Sequence, residues 1–263
     1  MEITSLNQIK KDHNIDIGVG SIISNAFKMG FQNWGRLLLG YILFILVFWV
    51  PYINIGAYIG LTGFIVTISK GRKISPSDIF DSYYLKKIGD YALLFFLFLG
   101  GIIGLAMILW NLGSYIALFT GVFPLIVIFY SWSMSGLLLL DKDLGALKSI
   151  ELSNGITYQY KGAMFGANII MGLIFFAISL FMFGLMAGVF ALIDNMYDEL
   201  LITIILIFFV LLCIAILSLM MSIFLAGNAY IYRVLEKRIS IESCNKFKTD
   251  KLIADNKRKY EGL

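Results

Sequence analysis

At 263 residues, 59% hydrophobic and only 14% charged, the chain carries more apolar surface than a water-soluble domain, which is about 45–50% apolar and about 25% charged. Its net charge is a modest +4, and no nucleic-acid partner is expected. Over half of the chain lies in four stretches without Asp, Glu, Lys, Arg or His: Leu37 to Ser69, Tyr91 to Leu140, Gly162 to Ile193, and Leu200 to Tyr232. A bilayer-spanning helix needs about 20 apolar residues, and a charge at its centre costs roughly 2.5–3.5 kcal/mol, so these runs fit a lipid environment.

The N-terminal tail comes first. Its charged residues are followed by Ile15 to Phe31 rather than by an apolar core ending in a small-residue cleavage site, so no removable signal peptide is expected. Val19, Ile22, Ile23, Ala26 and Phe27 recur at the spacing of one helix face. This predicts an amphipathic helix lying along the membrane surface before Asn33-Trp34-Gly35-Arg36.

The first apolar block has Pro51, Asn54 and Gly56 at its centre, where proline removes a backbone donor and Asn and Gly favour a turn. A hairpin of two short helices is the preferred reading, with a re-entrant pair that does not fully cross as the alternative. Next, Ser75-Pro76-Ser77-Asp78 has the form of a capping box with proline at the first helical position. It predicts a second surface helix presenting Ile79, Phe80, Tyr83 and Tyr84 together. Tyr91 to Leu140 is too long for one helix and contains the turn-prone Asn111-Leu112-Gly113-Ser114, which predicts a second hairpin. Leu144 to Ser153, with Ala146, Leu147 and Ile150 on one face, is a weaker third surface segment. The last two blocks are one helix each, joined by the polar Asp194 to Glu199.

The expected fold is therefore all-α: a polytopic transmembrane helical bundle of six transmembrane helices arranged as three hairpins, with amphipathic interfacial helices on the cytoplasmic side. Residues 1–34 form a cytoplasmic tail, 35–232 the membrane domain and 233–263 a basic cytoplasmic tail. Charge supports this count, because Lys and Arg accumulate on the cytoplasmic side of membrane proteins. Four of the 21 basic residues precede the first span, five lie between spans two and three, three between four and five, and nine after the sixth. None falls in a predicted external loop, so a multi-pass membrane protein with both termini cytoplasmic is expected.

Basic and aromatic residues at the junctions, namely Trp34, Arg36, Arg72, Lys73, Lys86, Lys87 and Lys161, are candidates for contact with anionic lipid headgroups, at roughly 1 kcal/mol per basic residue. Membrane lipids are thus the expected partners, along with a second copy of the chain or another membrane protein. Small residues at four-residue spacing, such as Gly56 and Gly60 or Gly184 and Gly188, let helix backbones approach closely in lipid.

The order of parts resembles the six-helix bacterial inner-membrane proteins grouped around the YciC-like and glycerophosphodiester-phosphodiesterase membrane-domain families. The shared features are Ala26 followed by Asn33-Trp34-Gly35, the Pro51-to-Gly60 hairpin, Gly71-Arg72-Lys73 before Ser77-Asp78-Ile79-Phe80, and Ala146-Leu147-Lys148 leading to Lys161-Gly162. This resemblance implies the fold and a location in the bacterial plasma (inner) membrane, and brings no catalytic residues.

Chemistry is sparse. Intramembrane catalysis or ion coupling normally leaves an ionisable residue in an apolar span, and the four apolar blocks hold none. His13 has no second metal ligand nearby, and there is no phosphate-binding loop or serine elbow. Asp141 and Asp143 are weak candidates for a divalent cation and equally for capping the segment that follows. The two cysteines, Cys213 and Cys244, are expected as unpaired thiols, and no cofactor is expected.

A non-catalytic accessory or scaffold of the bacterial envelope is the leading expectation. A transporter or channel for a neutral or amphipathic solute is the first alternative, with Asn54, Thr62, Asn111, Thr120, Asn168 and Asn228 as available polar groups. A lipid-modifying enzyme using Asp141 and Asp143 is the second.

Overall fold

Apolar segments away from water must satisfy their backbone groups internally, which selects helices. The computed structural model describes residues 17–111, 114–193 and 199–261, with side chains at 108–122, 192, 199 and 238–261 left aside. Every element among the described residues is helical. In chain order these are α1 (Val19–Val47), α2 (Ile53–Ser69), a 3₁₀ turn (Pro76–Phe80), α3 (Ser82–Lys86), α4 (Ile88–Asn111), α5 (Ser114–Trp132), α6 (Ser135–Lys142), α7 (Ala146–Thr157), α8 (Lys161–Ile193) and α9 (Glu199–Glu261).

Five stretches are long and apolar enough to cross a bilayer: Val19–Val47, Ile88–Met107, Phe123–Lys142, Lys161–Ala191 and Leu200–Lys237. The second expected span, α2, has only 17 residues, about 25 Å at helical rise, against a hydrocarbon core of about 30 Å. The turn expected around Pro51 is present between α1 and α2. Tyr52 takes a positive φ of 72° there, and Asn54 Nδ2 donates to the Phe48 carbonyl at 2.9 Å.

The three surface segments depart from expectation, each for a packing reason. The first is not a separate helix. Val19–Val47 is continuous, and Ile22 and Ala26 are fully buried in the protein interior. Ala26 meets Met171 and Gly227. At Gly30 a Cβ would lie 2.7 Å from Ile223 Cα, and Ser222 Oγ donates to the Gly30 carbonyl at 2.8 Å. The apolar face read as lipid-facing is the seam between α1 and α9.

The second segment has the expected capping box, Ser75 with Asp78, and Pro76 in the first turn. Asp81 then interrupts it, accepting the Tyr83 N–H at 2.9 Å and starting α3. This segment packs on α2. Gly56, Gly60 and Gly63 take Leu85, Ile79 and Tyr84 respectively, and at Gly60 a Cβ would lie 2.6 Å from the Ile79 backbone. The small-residue spacing thus serves close packing within the chain.

In the third, α7, the buried stripe is Ala146, Ser149, Ser153 and Thr157, while Leu147 is exposed. Small hydroxylated residues bring α7 against α5 and α6, where the fourth expected helix breaks at Ser133-Met134. Ser153 Oγ donates to the Ser131 carbonyl at 2.7 Å and accepts the Met134 N–H at 3.2 Å. It supplies partners that the interrupted helix cannot. Ser131, Ser133 and Ser135 return their hydroxyls to the carbonyls of Val127, Tyr130 and Trp132, a back-bonding pattern that bends helices. Finally, the basic tail expected after residue 232 continues α9, which runs 63 residues.

Candidate functional site

The break between α5 and α6 opens a cavity of about 430 Å³ whose walls come from α2, α4, α5, α6, α8 and α9. Its polar groups include Thr62, Tyr130, Asn168 and Asn228, and none of its lining residues is Asp, Glu, Lys, Arg or His. Ligand pockets of this size, mostly apolar with a few placed polar groups, are typical of small-molecule sites.

Three of the six polar residues singled out in the sequence, Thr62, Asn168 and Asn228, meet at this cavity. Asn54 instead ties the α1–α2 turn, and the side chains of Asn111 and Thr120 lie outside the described residues. Tyr130 was missed, because an aromatic residue in an apolar run carries no period or motif that marks it. It is 7% exposed, and its hydroxyl accepts the Asn168 Nδ2 bond at 2.9 Å. Asn168 Oδ1 is buried and meets no donor among the described residues.

Next to the cavity lies a group of charges. Gly136 and Leu137 line the cavity, and Asp141 follows about one turn later on α6; Asn228 lines it, and Tyr232 follows one turn later on α9. The Asp141 side chain is 1% exposed and is reached by Lys70 from the end of α2. Tyr232 donates to its Oδ2 at 2.7 Å. Lys142 stands 3.3 Å from that oxygen and 2.6 Å from Glu236 Oε1. Lys87 holds Asp143 at 2.5 Å and Asp90 at 3.4 Å. The Asp143 hydrogen bond, against the opposing effect of burial, raises Lys87 above the usual lysine range. Tyr83 donates to the Leu140 carbonyl at 2.8 Å.

Asp141 and Asp143 therefore have separate lysine partners. Among the described residues no three of His, Cys, Asp and Glu gather as a metal site. Neither caps α7, whose N-cap is Gly145 without a side-chain cap. Asp143 takes a left-handed φ of 54° and ends α6.

The junction residues divide. Trp34 donates to Ser218 Oγ at 2.9 Å within the α1–α9 seam, and Lys161 reaches Asn154 Oδ1 at 3.1 Å and stands over the Tyr158 ring. Arg36 is half-buried on α1, whereas Arg72, Lys73 and Lys86 are exposed. No protein-family description, curated protein or solved structure matches this chain.

Proposed function

We propose that this chain is a non-catalytic integral membrane protein that takes a neutral, amphipathic solute into the cavity beside the broken helix, in a binding or transport role. One observation carries the reading: a cavity of about 430 Å³ whose apolar wall is interrupted only by uncharged polar groups. A charged solute would enter without a counter-charge, which is costly in an apolar site. The test is photolabelling of the purified full chain in nanodiscs with a diazirine-bearing, uncharged long-chain probe. Labelling of cavity residues that Thr62→Phe suppresses supports the reading; labelling spread over all lipid-facing helices, or turnover of a lipid by the purified chain, overturns it.

The same proposal places the chain in a bacterial inner membrane with six passes, five facing lipid and α2 buried over most of its length, both termini cytoplasmic. Cysteines introduced at Lys73 and Lys148 should then react with a membrane-impermeant maleimide from the same, cytoplasmic side. Exposed Arg72, Lys73 and Lys86 on that side suit anionic headgroups.

A second reading, an accessory or scaffold role as a homo-oligomer, is favoured by the exposed Gly184 and Gly188 face of α8. There a Cβ would meet nothing within 4 Å, as close helix association in lipid requires. Disulfide dimers of Gly188→Cys in membranes support it, and monomers alone remove it.

A further inference from the structure

Three helices that wall the cavity carry on from it towards the group of charges. On α2, Thr62 and Ile65 line the cavity and Lys70 follows its last turn; on α6, Gly136 and Leu137 line it and Asp141 follows; on α9, Phe224 and Asn228 line it, and Tyr232 and Glu236 follow. At that end the three are tied to one another. Asp141 holds Lys70 and accepts from Tyr232 at 2.7 Å, while Lys142 reaches Asp141 at 3.3 Å and Glu236 at 2.6 Å. Between the ties and the cavity lie Ile68, Leu138 and the Tyr232 ring, all buried in one apolar cluster. The cavity is closed towards the lysines, whereas its lining residues Phe95 and Phe129, on α4 and α5, are exposed.

The ties are of a kind that can part. Asp141 is 1% exposed, but Lys70 and Lys142 are 30% and 37% exposed. A lysine at a water-facing edge loses little when its partner leaves, and Asp141 gains water as the helices around it separate. A permanent seal has no need of these charges, because well-packed apolar residues of similar volume hold such an end at least as firmly. Buried ion pairs find a clearer use where an end must both close and open.

We infer that the cavity is a transport site and that Lys70, Asp141, Lys142, Tyr232 and Glu236 form its gate: the solute enters from the lipid past α4 and α5 and leaves on the lysine side when the ties between α2, α6 and α9 part. This rests on the cavity being a binding site.

The experiment uses the full chain with Cys213→Ser and Cys244→Ser in proteoliposomes, and Asn228→Cys as a reporter in the cavity. A membrane-impermeant maleimide is offered at the face where Lys73→Cys reacts. Expected are slow labelling with the gate unaltered and about ten-fold faster labelling in Lys70→Met, Asp141→Asn, Lys142→Met, which leaves no charge at residue 141. Ser222→Ala, which removes the buried bond to the Gly30 carbonyl, controls for general loosening. Fast labelling with the gate unaltered, no acceleration in the triple variant, or an equal rise in Ser222→Ala overturns the gate. Lys70→Met alone keeps Asp141 paired with Lys142 and should give a smaller rise; if the triple variant misfolds, the absence of that rise overturns the gate. Photolabelling with the uncharged diazirine probe is read on the same proteins. Cavity labelling retained without a change in thiol access removes the gate and leaves the binding site, and its absence in the chain with an unaltered gate removes both.

Discussion

Removing both lysines that face Asp141 should destabilise the protein by more than the two single changes together. Asp141 is 1% exposed, whereas Lys70 and Lys142 are 30% and 37% exposed, so the carboxylate is the partner that water cannot rescue. Lys70→Met leaves Lys142 at 3.3 Å and Tyr232 at 2.7 Å, and should cost about 1–2 kcal/mol. Lys142→Met leaves Lys70 in place, at a similar cost, with loss of the Glu236 contact added. In the double variant a buried carboxylate keeps only the tyrosine hydroxyl, and the penalty should reach at least the roughly 3–5 kcal/mol of a broken buried pair. Adding Asp141→Asn to the double variant should recover much of that loss, because the amide still accepts from Tyr232 and carries no charge. Equilibrium unfolding in mixed micelles measures all four proteins. Single effects that add to within about 0.5 kcal/mol, or no recovery from Asp141→Asn, would refute the reasoning.

Ser153→Ala should lower stability by about 1–3 kcal/mol, because it strands the Met134 N–H at the helix break; equal unfolding midpoints for this variant and for Ser179→Ala would count against the clamp. Gly60→Ala should destabilise strongly, since its Cβ meets the Ile79 backbone at 2.6 Å, whereas Gly184→Ala enters open space and should be nearly neutral; similar midpoints would show the packing of the 75–87 segment to be wrong. Burial, aided by Asp81 and Asp78, pushes the Tyr84 hydroxyl up to about 12. The folded protein thus keeps a proton that the unfolded chain releases above about pH 10, so this contribution to stability is complete below pH 10 and is lost as pH rises towards 12. Lys87, also raised, adds in the same direction. Tyr84→Phe should flatten the alkaline decline, and an unchanged slope in a pH series of unfolding midpoints would exclude Tyr84 as its source.

Helical class and five of the six expected spans were legible because charge-free runs leave few alternatives, whereas α2 has only 17 residues. Pro51 with Asn54, and Ser75 with Asp78, marked real turns and caps, because those residues act through their own local geometry. The first two surface segments were misread for one shared reason. An apolar face reports that it is buried and says nothing about what covers it: Ile22 and Ala26 face α9 and α8, and Ile79 faces Gly60. In α7 the pattern pointed the wrong way, since Ser149 and Ser153 are buried by helix proximity and hydrogen bonding, which no hydrophobic period records. At the cavity, Asn168 and Asn228 were visible as polar interruptions, but their meeting with Tyr130 depends on the break at Ser133-Met134, and a run of three alternating serines does not announce a break by itself.

The basic residues also make contacts within the fold. Counting them by segment assigned the ends of α2, α4, α6 and α9 to one side, and the structure joins members of those segments directly: Lys70 with Asp141, Lys87 with Asp143, Lys142 with Glu236. The start of α1 belongs with them, because Val19 packs at Gly166 and Ala26 at Gly227, one turn before the α9 residues that reach Asp141. A chain that leaves with α1 from that end and presents Lys70 there has been brought back by α2, short as it is. Ten of the 17 α2 residues are buried, while Ile53, Ile55 and Tyr58 near its start are exposed, so α2 returns the chain to the Lys70 end packed mainly against its own protein.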